Sequence, residues 1–296
     1  MKSHTRNRFL CCVAGIILAT VCVALWSCHQ PHPNTSHRLT VLTWNTERMG
    51  NFAKPDKNEV LRYLMAQDAD VICLQEVDVY KRPQFLTLQE VKDVLSRKYR
   101  YSYLDFSVYD SRHQFGTMVW SHYPLINKQS IRYETRGNIS NRCDIVVEGD
   151  TLRLINNHLE SYSFTSEDLA EMDSLHNYEG MIASAKRLEV KWRRATPLRN
   201  AQARVIRKEI EESPYPVIVV GDFNAIPLSF AYRHISQGLH DAWRSNHIGY
   251  GATCEHRGIG LRIDYILSSE TLIPTSCTIP KTTGSDHNPV VATIEW

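Results

Sequence analysis

The chain has 296 residues, of which 43% are hydrophobic and 22% charged, a composition that is typical of a globular protein with a large core and excludes a disordered chain. Three of its 34 lysine and arginine residues lie in the first 37 residues, so 31 basic side chains face 32 acidic ones in the remainder. This near-neutral balance disfavours a protein that coats nucleic acid through a general surplus of positive charge, although it is compatible with a local basic cleft.

The first element of the chain is an apolar segment of 18 residues, Phe9–Trp26, which follows the basic stretch KSHTRNR. Its length lies between that of a signal-peptide core and the roughly 20 residues that span a membrane. We therefore predict a signal or membrane-anchor segment over residues 1–28 and a polar linker over residues 29–38. The anchor is either a single-pass helix through residues 9–26 or a lipid attached at Cys28. In both cases the positive-inside rule places the rest of the chain outside the cytoplasm, in the periplasm or at the cell surface.

Short apolar runs of strand length recur along the rest of the chain. They are Leu39–Trp44, Val71–Leu74, Thr117–Trp120, Leu152–Ile155, Val217–Val220, Ile263–Leu267 and Val290–Ile294. Apolar residues at helical spacing lie between the first three runs, at residues 60–65 and 86–95. Continuous apolar strands that alternate with helices predict sheets covered by helices, which is a layered α/β architecture. Since no internal repeat is visible, we predict one domain over residues 39–296.

Four cysteines lie in this predicted domain: Cys73, Cys143, Cys254 and Cys277. No two of them have the spacing of a CxxC pair. Cys73 lies within an apolar run and is predicted to be a small buried residue. An exported domain can form disulfides, so pairing among the other three cysteines is a second expectation, for which the sequence selects no particular pair.

The longest stretch without a strand pattern is residues 167–212, which is predicted to be helical and is rich in lysine and arginine from residue 183 onward. These charges can belong to a solvated helix face or to a surface that grips an anionic substrate. Under the second interpretation, Arg187 and Arg194 are candidate substrate-binding residues.

Five polar clusters follow apolar runs or lie beside them, at the strand ends where α/β folds assemble their sites. They are Trp44-Asn45, Gln75-Glu76, Asn157-His158, Gly221 to Asn224, and Ser285 to His287. One such cluster is usually a turn or a helix cap, but five together indicate a functional site. Carboxylate and amide oxygens suit Mg²⁺ or Mn²⁺ better than zinc, and such a cation stabilises the charge that accumulates during phosphoester hydrolysis. The candidate ligands are Asn45, Glu76 and Asp286, with Glu47 as an additional one.

With these residues, the chain resembles the endonuclease/exonuclease/phosphatase superfamily, the DNase I-like metal-dependent phosphoesterases. The motifs, in the order of the family, are LTWN (42–45), CLQEV (73–77), NNHLES (156–161), VGDFN (220–224), RIDYIL (262–267) and GSDHNPV (284–290). The resemblance covers residues 39–296 and implies a DNase I-like four-layer sandwich, in which two central mixed β-sheets are flanked by helices. This is an α/β fold, or α+β in some classifications. We expect a monomeric catalytic domain that uses Mg²⁺ or Mn²⁺ to assist in-line attack of water on a phosphoester.

The resemblance also implies roles for the candidate metal ligands and for the two polar residues at the end of the VGDFN motif. Glu76 resembles the main metal ligand of the family, and Asn45 and Asp286 complete its shell directly or through water. Asp222 resembles the carboxylate that positions or deprotonates the attacking water. Asn224 resembles the amide that donates to a phosphoryl oxygen, and because it lies two residues from Asp222 on a segment expected to be extended, both side chains are expected to point the same way.

Two histidines complete the implied site. His287 resembles the residue that binds a phosphoryl oxygen, and Asp264 resembles the carboxylate that fixes the orientation of its ring. His158 resembles a histidine that donates a proton to the leaving oxygen. The acidic partner that such a histidine requires has no clear counterpart, and Asp105 and Asp110 are the candidates.

The substrate stays open at this point, because nucleic acid, phospholipid and small phosphate esters such as inositol phosphates all fit the resemblance. NNHLES locally resembles tyrosyl-DNA phosphodiesterases, whereas attachment to a membrane at residues 9–26 and a neutral charge disfavour chromosomal DNA. A non-catalytic binding module on the same fold is the alternative of another class. It is disfavoured because the candidate ligands and the water-positioning residues are all present.

Overall fold

The computed structural model describes residues 37–51, 53–135, 137–161, 178–256 and 259–296. One compact unit spans His37–Trp296. The anchor predicted for residues 1–28 and nearly all of the predicted linker lie outside the described residues. Within the described part of the chain, no helix has the length and apolar character needed to cross a membrane.

The first sheet contains six strands, and its first strand begins one residue before the predicted start of the domain. In the order in which they pair, the strands are β13 (Ile273–Thr278), β14 (Val290–Glu295), β1 (Arg38–Asn45), β2 (Val71–Tyr80), β4 (His113–Ser121) and β3 (Tyr101–Tyr109). Strands β1 and β2 are parallel, and the other neighbours are antiparallel. The sheet is therefore mixed.

The second sheet repeats this plan. In pairing order, its strands are β5 (Leu125–Arg132), β6 (Ile139–Val147), β7 (Asp150–His158), β8 (Val217–Asp222), β12 (Asp264–Ser269) and β9 (Leu239–Asp241). Only β7 and β8 are parallel. A separate two-stranded ribbon is formed by β10 (Cys254–His256) and β11 (Ile259–Leu261).

Helices cover the outer face of each sheet. They are α1 (Glu59–Ala66), α2 (Leu88–Leu95), α3 (Tyr178–Glu211) and α4 (Phe230–Ser236). A short helix, α5 (Ala242–Asn246), instead packs against the core between the sheets. Helix α3 confirms the predicted helical stretch from residue 178 onward, and residues 167–177 of that prediction lie outside the described residues. The sheets are continuously apolar because neighbouring residues of a strand face different cores. In β1, Val41 belongs to the core shared by both sheets, and Leu42 belongs to the core under α1 and α2. In β8, Ile218 belongs to the shared core, and Val219 belongs to the core under α3 and α4. The four-layer sandwich is thereby confirmed.

The two parallel strand pairs place the functional motifs at one edge. Asn45 at the end of β1 is in register with Gln75 of β2, and His158 at the end of β7 is in register with Asp222 at the end of β8. Asp264, the first residue of the antiparallel β12, lies opposite Asp222. Because the ends of parallel strands meet at the same sheet edge, two motifs converge in the first sheet and two in the second, and Asp264 adds a fifth.

The four cysteines of the domain are all buried and free: Cys73, Cys143, Cys254 and Cys277. The prediction that Cys73 is a small buried residue is confirmed. The expected disulfide among the other three is not formed. Cys143 and Cys277 instead pack as apolar side chains in the core between the sheets.

Helix α2 begins with a capping box that offers a test of local stability. The Thr87 side chain accepts a hydrogen bond from the Glu90 backbone N–H at 3.3 Å, and the Glu90 carboxylate accepts one from the Thr87 N–H at 2.9 Å. We expect Thr87→Ala to lower the free energy of unfolding by about 1 kcal/mol, because one helical N–H loses its acceptor. Thermal unfolding should show a fall in Tm of about 2–4 °C. The control is Thr87→Ser, which keeps the hydroxyl, and equal melting of both variants would contradict the role of the cap.

Candidate active site

Asn45 connects the carboxylates of two different sheets. Its Nδ2 donates to Glu76 Oε1 at 3.1 Å and to Asp222 Oδ2 at 3.0 Å. Its Oδ1 accepts from the Glu47 N–H at 3.1 Å. Asn45 is 1% exposed, so these contacts are made away from bulk water, where each hydrogen bond to a charged group is strong. The residue therefore fixes the separation of a predicted metal ligand and a predicted catalytic carboxylate.

Glu76 lies at an irregularity of β2, where the pairing with β4 shifts between Leu74 and Val77. Its φ of 50° lies in the left-handed region, which is costly for a residue other than glycine and is often retained at functional sites. Burial by itself raises the pKa of Glu76, but the neighbouring His158 and the amide of Asn45 outweigh burial and lower the pKa to about 2. Glu76 is thus a permanent anion at neutral pH.

Two further carboxylates stand beside Glu76. Glu47 Oε2 accepts a hydrogen bond from the Asp286 N–H at 3.0 Å, and the loop that carries Asp286 is held by a Ser285 hydroxyl that donates to the Asn45 carbonyl at 2.8 Å. Burial raises the pKa of Glu47, and the negative charges of Asp286 and Glu76 raise it further. A bound cation would relieve the electrostatic repulsion between these carboxylates. A set of donors that consists only of oxygen atoms fits Mg²⁺ or Mn²⁺.

Asp222 and Asn224 face each other at the end of β8, but not for the predicted reason. The strand ends at Asp222, and Asn224 has a φ of 49°, so the segment is a turn and is not extended. The turn lets the Asn224 N–H donate to Asp222 Oδ1 at 2.7 Å and its Nδ2 donate to Asp222 Oδ2 at 3.1 Å. Gly221 precedes them with a φ of 118°, and a Cβ there would lie 2.1 Å from the Asn157 carbonyl oxygen. Only glycine permits this close approach of β8 to β7.

The environment of Asp222 suits a general base. Burial raises the pKa of Asp222, as does the charge of Asp264; His287, His158 and the Asn45 amide oppose this, and the resulting pKa is about 6. A carboxylate with such a pKa is ionised at neutral pH and still basic enough to accept a proton from water.

His287 forms a second connected group with Asp264. The Nδ1 atom of His287 lies 2.9 Å from Asp264 Oδ2, and the same carboxylate oxygen accepts from the Thr253 hydroxyl at 2.6 Å. The backbone carbonyl of His287 accepts from the indole N–H of Trp44 at 2.8 Å. Burial lowers the pKa of His287, but the Asp264 carboxylate outweighs burial and holds that pKa well above its usual value. The Asp264 carboxylate therefore favours the protonated ring, and Nε2 is left to address a substrate.

His158 lies next to Glu76 in a buried position. Its Nε2 is 3.4 Å from Glu76 Oε1 without the geometry of a hydrogen bond, and within the described residues neither ring nitrogen has a hydrogen-bond partner. Burial lowers the pKa of His158, but Glu76 and Asp222 outweigh it and raise that pKa. The side chains considered as its acidic partner are engaged elsewhere, since Asp105 pairs with Arg132 and Asp110 with His113. Glu76 is the carboxylate that lies beside the ring.

The two arginines predicted to bind substrate lie on α3. Arg194 is exposed there, and its role in substrate binding stays a prediction. The side chain of Arg187 lies outside the described residues. The sequence analysis instead missed Thr253, which precedes a short ribbon that has no apolar pattern, and Arg199, which is 2% exposed and donates from Nε to the Glu160 carbonyl at 2.7 Å. Arg199 ties α3 to the segment that follows His158.

The hydrogen bond from His287 to Asp264 leads to a kinetic prediction. We expect Asp264→Asn to lower kcat/KM by about 10–100-fold, because the ring loses both its fixed orientation and the anion that keeps it protonated. Because the pKa of His287 is raised, the ring stays protonated at pH values below that pKa and loses its charge as pH rises through it. In the variant, the loss of activity at high pH should therefore begin at a lower pH. A pH–rate profile that coincides with that of the wild type would contradict this role.

Comparisons with known proteins agree with the fold described above. The sequence matches the Endonuclease/Exonuclease/phosphatase family over residues 42–287. A comparison with curated proteins gives no match. An endonuclease/exonuclease/phosphatase from Beutenbergia cavernae is 16% identical with a TM-score of 0.65, over 87% of this chain and 71% of that chain. Humanized D. rerio TDP2 is 18% identical with a TM-score of 0.60, over 87% and 98%. The human Nocturnin catalytic domain is 19% identical with a TM-score of 0.60, over 88% and 94%. At these identities the structural likeness shows a shared fold.

Proposed function

Because the chain belongs to the Endonuclease/Exonuclease/phosphatase family of phosphoester-hydrolysing enzymes, we propose that it hydrolyses a phosphodiester in a Mg²⁺-dependent reaction. One observation carries the proposal. Side chains from both sheets, Asn45, Glu76, Asp222 and Asn224, form a single hydrogen-bonded network. This network joins oxygen donors suited to a divalent cation to a buried carboxylate suited to act as a base.

Mg²⁺ would be held by Glu76, Asn45 and Asp286, with Glu47 close enough to bind through water. When bound, the cation neutralises charge on the phosphoryl oxygens and favours ionisation of water. The protein supplies the remaining steps. The Asp222 carboxylate accepts a proton from the attacking water, and the two hydrogen bonds from Asn224 hold that carboxylate in one orientation. Asn224 is thus a positioning residue here, and its amide reaches a phosphoryl oxygen only if it releases one of its present acceptors.

The two histidines have different roles at the reacting phosphorus. The protonated His287 donates to a phosphoryl oxygen from Nε2, since its Nδ1 is occupied by Asp264. His158 carries the proton that the leaving oxygen requires, because the anionic Glu76 favours its charged form. An acid and a base on separate residues permit in-line attack and departure.

The test is hydrolysis by the full chain of DNA, RNA, 5′-tyrosyl DNA, sphingomyelin and inositol phosphates, with EDTA, Mg²⁺ or Mn²⁺. We expect hydrolysis of a phosphodiester substrate that disappears with EDTA and returns when Mg²⁺ is added in excess. The same panel separates the nucleic-acid, lipid and small-molecule alternatives. Activity that persists in EDTA, or activity on none of these compounds, would contradict the proposal.

A further inference from the structure

A cysteine stands beside the active site in a position that the proposed reaction does not use. Among the described residues, the Cys254 thiol, an Asp286 carboxylate oxygen and a His287 ring nitrogen all lie within 4.8 Å of one another. Cys254 is 8% exposed and His287 7% exposed, whereas Asp286 faces solvent. Two of the three groups are therefore buried, and the third is open to solvent.

The backbone fixes this arrangement. Cys254 and His287 are paired in an antiparallel bridge. Hydrogen bonds flank the bridge on both sides, from the Glu255 N–H to the Asp286 carbonyl at 3.2 Å and from the Asn288 N–H to the Thr253 carbonyl at 2.6 Å. The two side chains therefore lie on the same face of the bridge, because residues directly opposite each other in an antiparallel pair point the same way.

The imidazole is also oriented for metal binding. Its Nδ1 is held by Asp264 at 2.9 Å, so the lone pair of a neutral His287 is available on Nε2. A histidine that binds zinc typically has this second contact to a carboxylate, which fixes the ring and increases its basicity. Asp264 is in turn held by the Thr253 hydroxyl at 2.6 Å.

The donor set selects a class of metal. Around a tetrahedral zinc ion, neighbouring sulfur, nitrogen and oxygen ligands are separated by roughly 3.3–3.8 Å, so separations of at most 4.8 Å are closed by small side-chain movements. A thiolate and an imidazole favour zinc and similar transition metals over Mg²⁺. Three protein ligands with one open position are typical of zinc sites that are accessible to solvent.

We propose that Cys254, Asp286 and His287 form a binding site for zinc or a similar transition metal, and that its occupation inhibits the enzyme. Zinc at this site would occupy the Cys254 thiolate, whose proton passes to solvent, and the Nε2 atom of His287, so that Nε2 could no longer contact a phosphoryl oxygen. Asp286 is shared with the proposed Mg²⁺ ligands, so the two metals compete for it. The inhibition rests on the proposed function, whereas the binding does not.

The binding test uses the full chain without an affinity tag, and zinc or cobalt ions as probes. In calorimetry with excess Mg²⁺ present, we expect Cys254→Ser to weaken zinc binding by at least about 10-fold. The matched control Cys277→Ser, which replaces another buried cysteine, should bind zinc as the wild type does. With Co²⁺, the wild type and Cys277→Ser should show thiolate-to-cobalt charge-transfer absorption that Cys254→Ser lacks. Equal zinc affinities in all three proteins would overturn the site. A wild-type cobalt spectrum without that absorption would also overturn it. The cobalt spectrum needs only the wild type, so it decides the question even if Cys254→Ser fails to fold.

The inhibition test is separate. On a substrate hydrolysed in Mg²⁺, we expect zinc to inhibit the wild type and Cys277→Ser, and to inhibit Cys254→Ser only at concentrations at least about 10-fold higher. Without zinc, Cys254→Ser should keep wild-type activity because the thiol takes no part in the reaction. Zinc binding without inhibition would overturn the proposed inhibition but not the proposed site. A failure of the proposed function would show as a lack of hydrolysis in Mg²⁺ while zinc binding persists.

Discussion

Asp222→Asn is expected to lower kcat/KM at least about 10³-fold. The amide keeps the size of the carboxylate but cannot accept a proton from water, and removal of a general base typically costs 10²–10⁴-fold. The loss should lie towards the upper part of that range, because the side chain is 1% exposed and no bulk water can replace it. The measurement is steady-state hydrolysis in saturating Mg²⁺, with circular dichroism to confirm that the variant is folded.

The matched control is Asp105→Asn, which changes another buried aspartate in the same way. Asp105 is 6% exposed and its carboxylate lies 3.1 Å from the Arg132 guanidinium, away from the proposed reaction. We expect this variant to keep activity close to that of the wild type. A similar loss in both variants would indicate a general effect of removing a buried charge, and an active Asp222→Asn enzyme would exclude Asp222 as the base.

The same assignment fixes the direction of the pH dependence. Burial and the nearby Asp264 charge raise the pKa of Asp222 to about 6. A base works when it is deprotonated, so kcat/KM should fall as pH decreases through this value. Bound Mg²⁺ favours the carboxylate form, so the midpoint should lie at or below about 6. The acidic limb should be absent from the residual activity of Asp222→Asn.

The sequence predicted the central strands and the site because both depend on strong, local signals. Val217–Val220 is apolar at every position since it is buried on both faces, and the polar residues that follow it must lie at the sheet edge. The outer strands carried no such signal. In β5, Leu125 and Ile131 are buried, but most of the residues between them are exposed, so an edge strand of this kind is set by pairing with its neighbour and not by its own periodicity.

The contacts within the site were less predictable from the sequence than the identity of the residues that form it. Asp222 and Asn224 were expected to point the same way on an extended segment. The turn that brings them into contact requires positive φ values at Gly221 and Asn224, which no hydrophobic pattern encodes. The partners of His158 and His287 depend on strands far apart in the sequence. Thr253 touches Asp264 only because a short ribbon folds back along the last loop, so its role becomes visible only in three dimensions.

Glu76→Gln is expected to separate metal binding from the rest of the chemistry. The amide is a much weaker ligand for Mg²⁺ than the carboxylate, so we expect Mg²⁺ affinity to fall at least about 10²-fold and hydrolysis at limiting Mg²⁺ to fall with it. Part of the activity should return at high Mg²⁺, because Asp222 and His287 remain. Recovery should be incomplete, since the anion that favours protonation of His158 is lost.

The matched control for this prediction is Glu47→Gln, which should have a smaller effect because Glu47 already accepts the Asp286 N–H and its pKa is raised by burial and its neighbours. Calorimetric titration with Mg²⁺ measures the affinity of both variants.

If Glu76→Gln bound Mg²⁺ as tightly as the wild type, the ion would have to lie elsewhere. Among the described residues, Asp222, Asp264 and His287 form a group of two carboxylates and a histidine that could hold it. Metal binding there would neutralise Asp222 as a base, so Glu76→Gln decides between a cation beside the base and one bound to it.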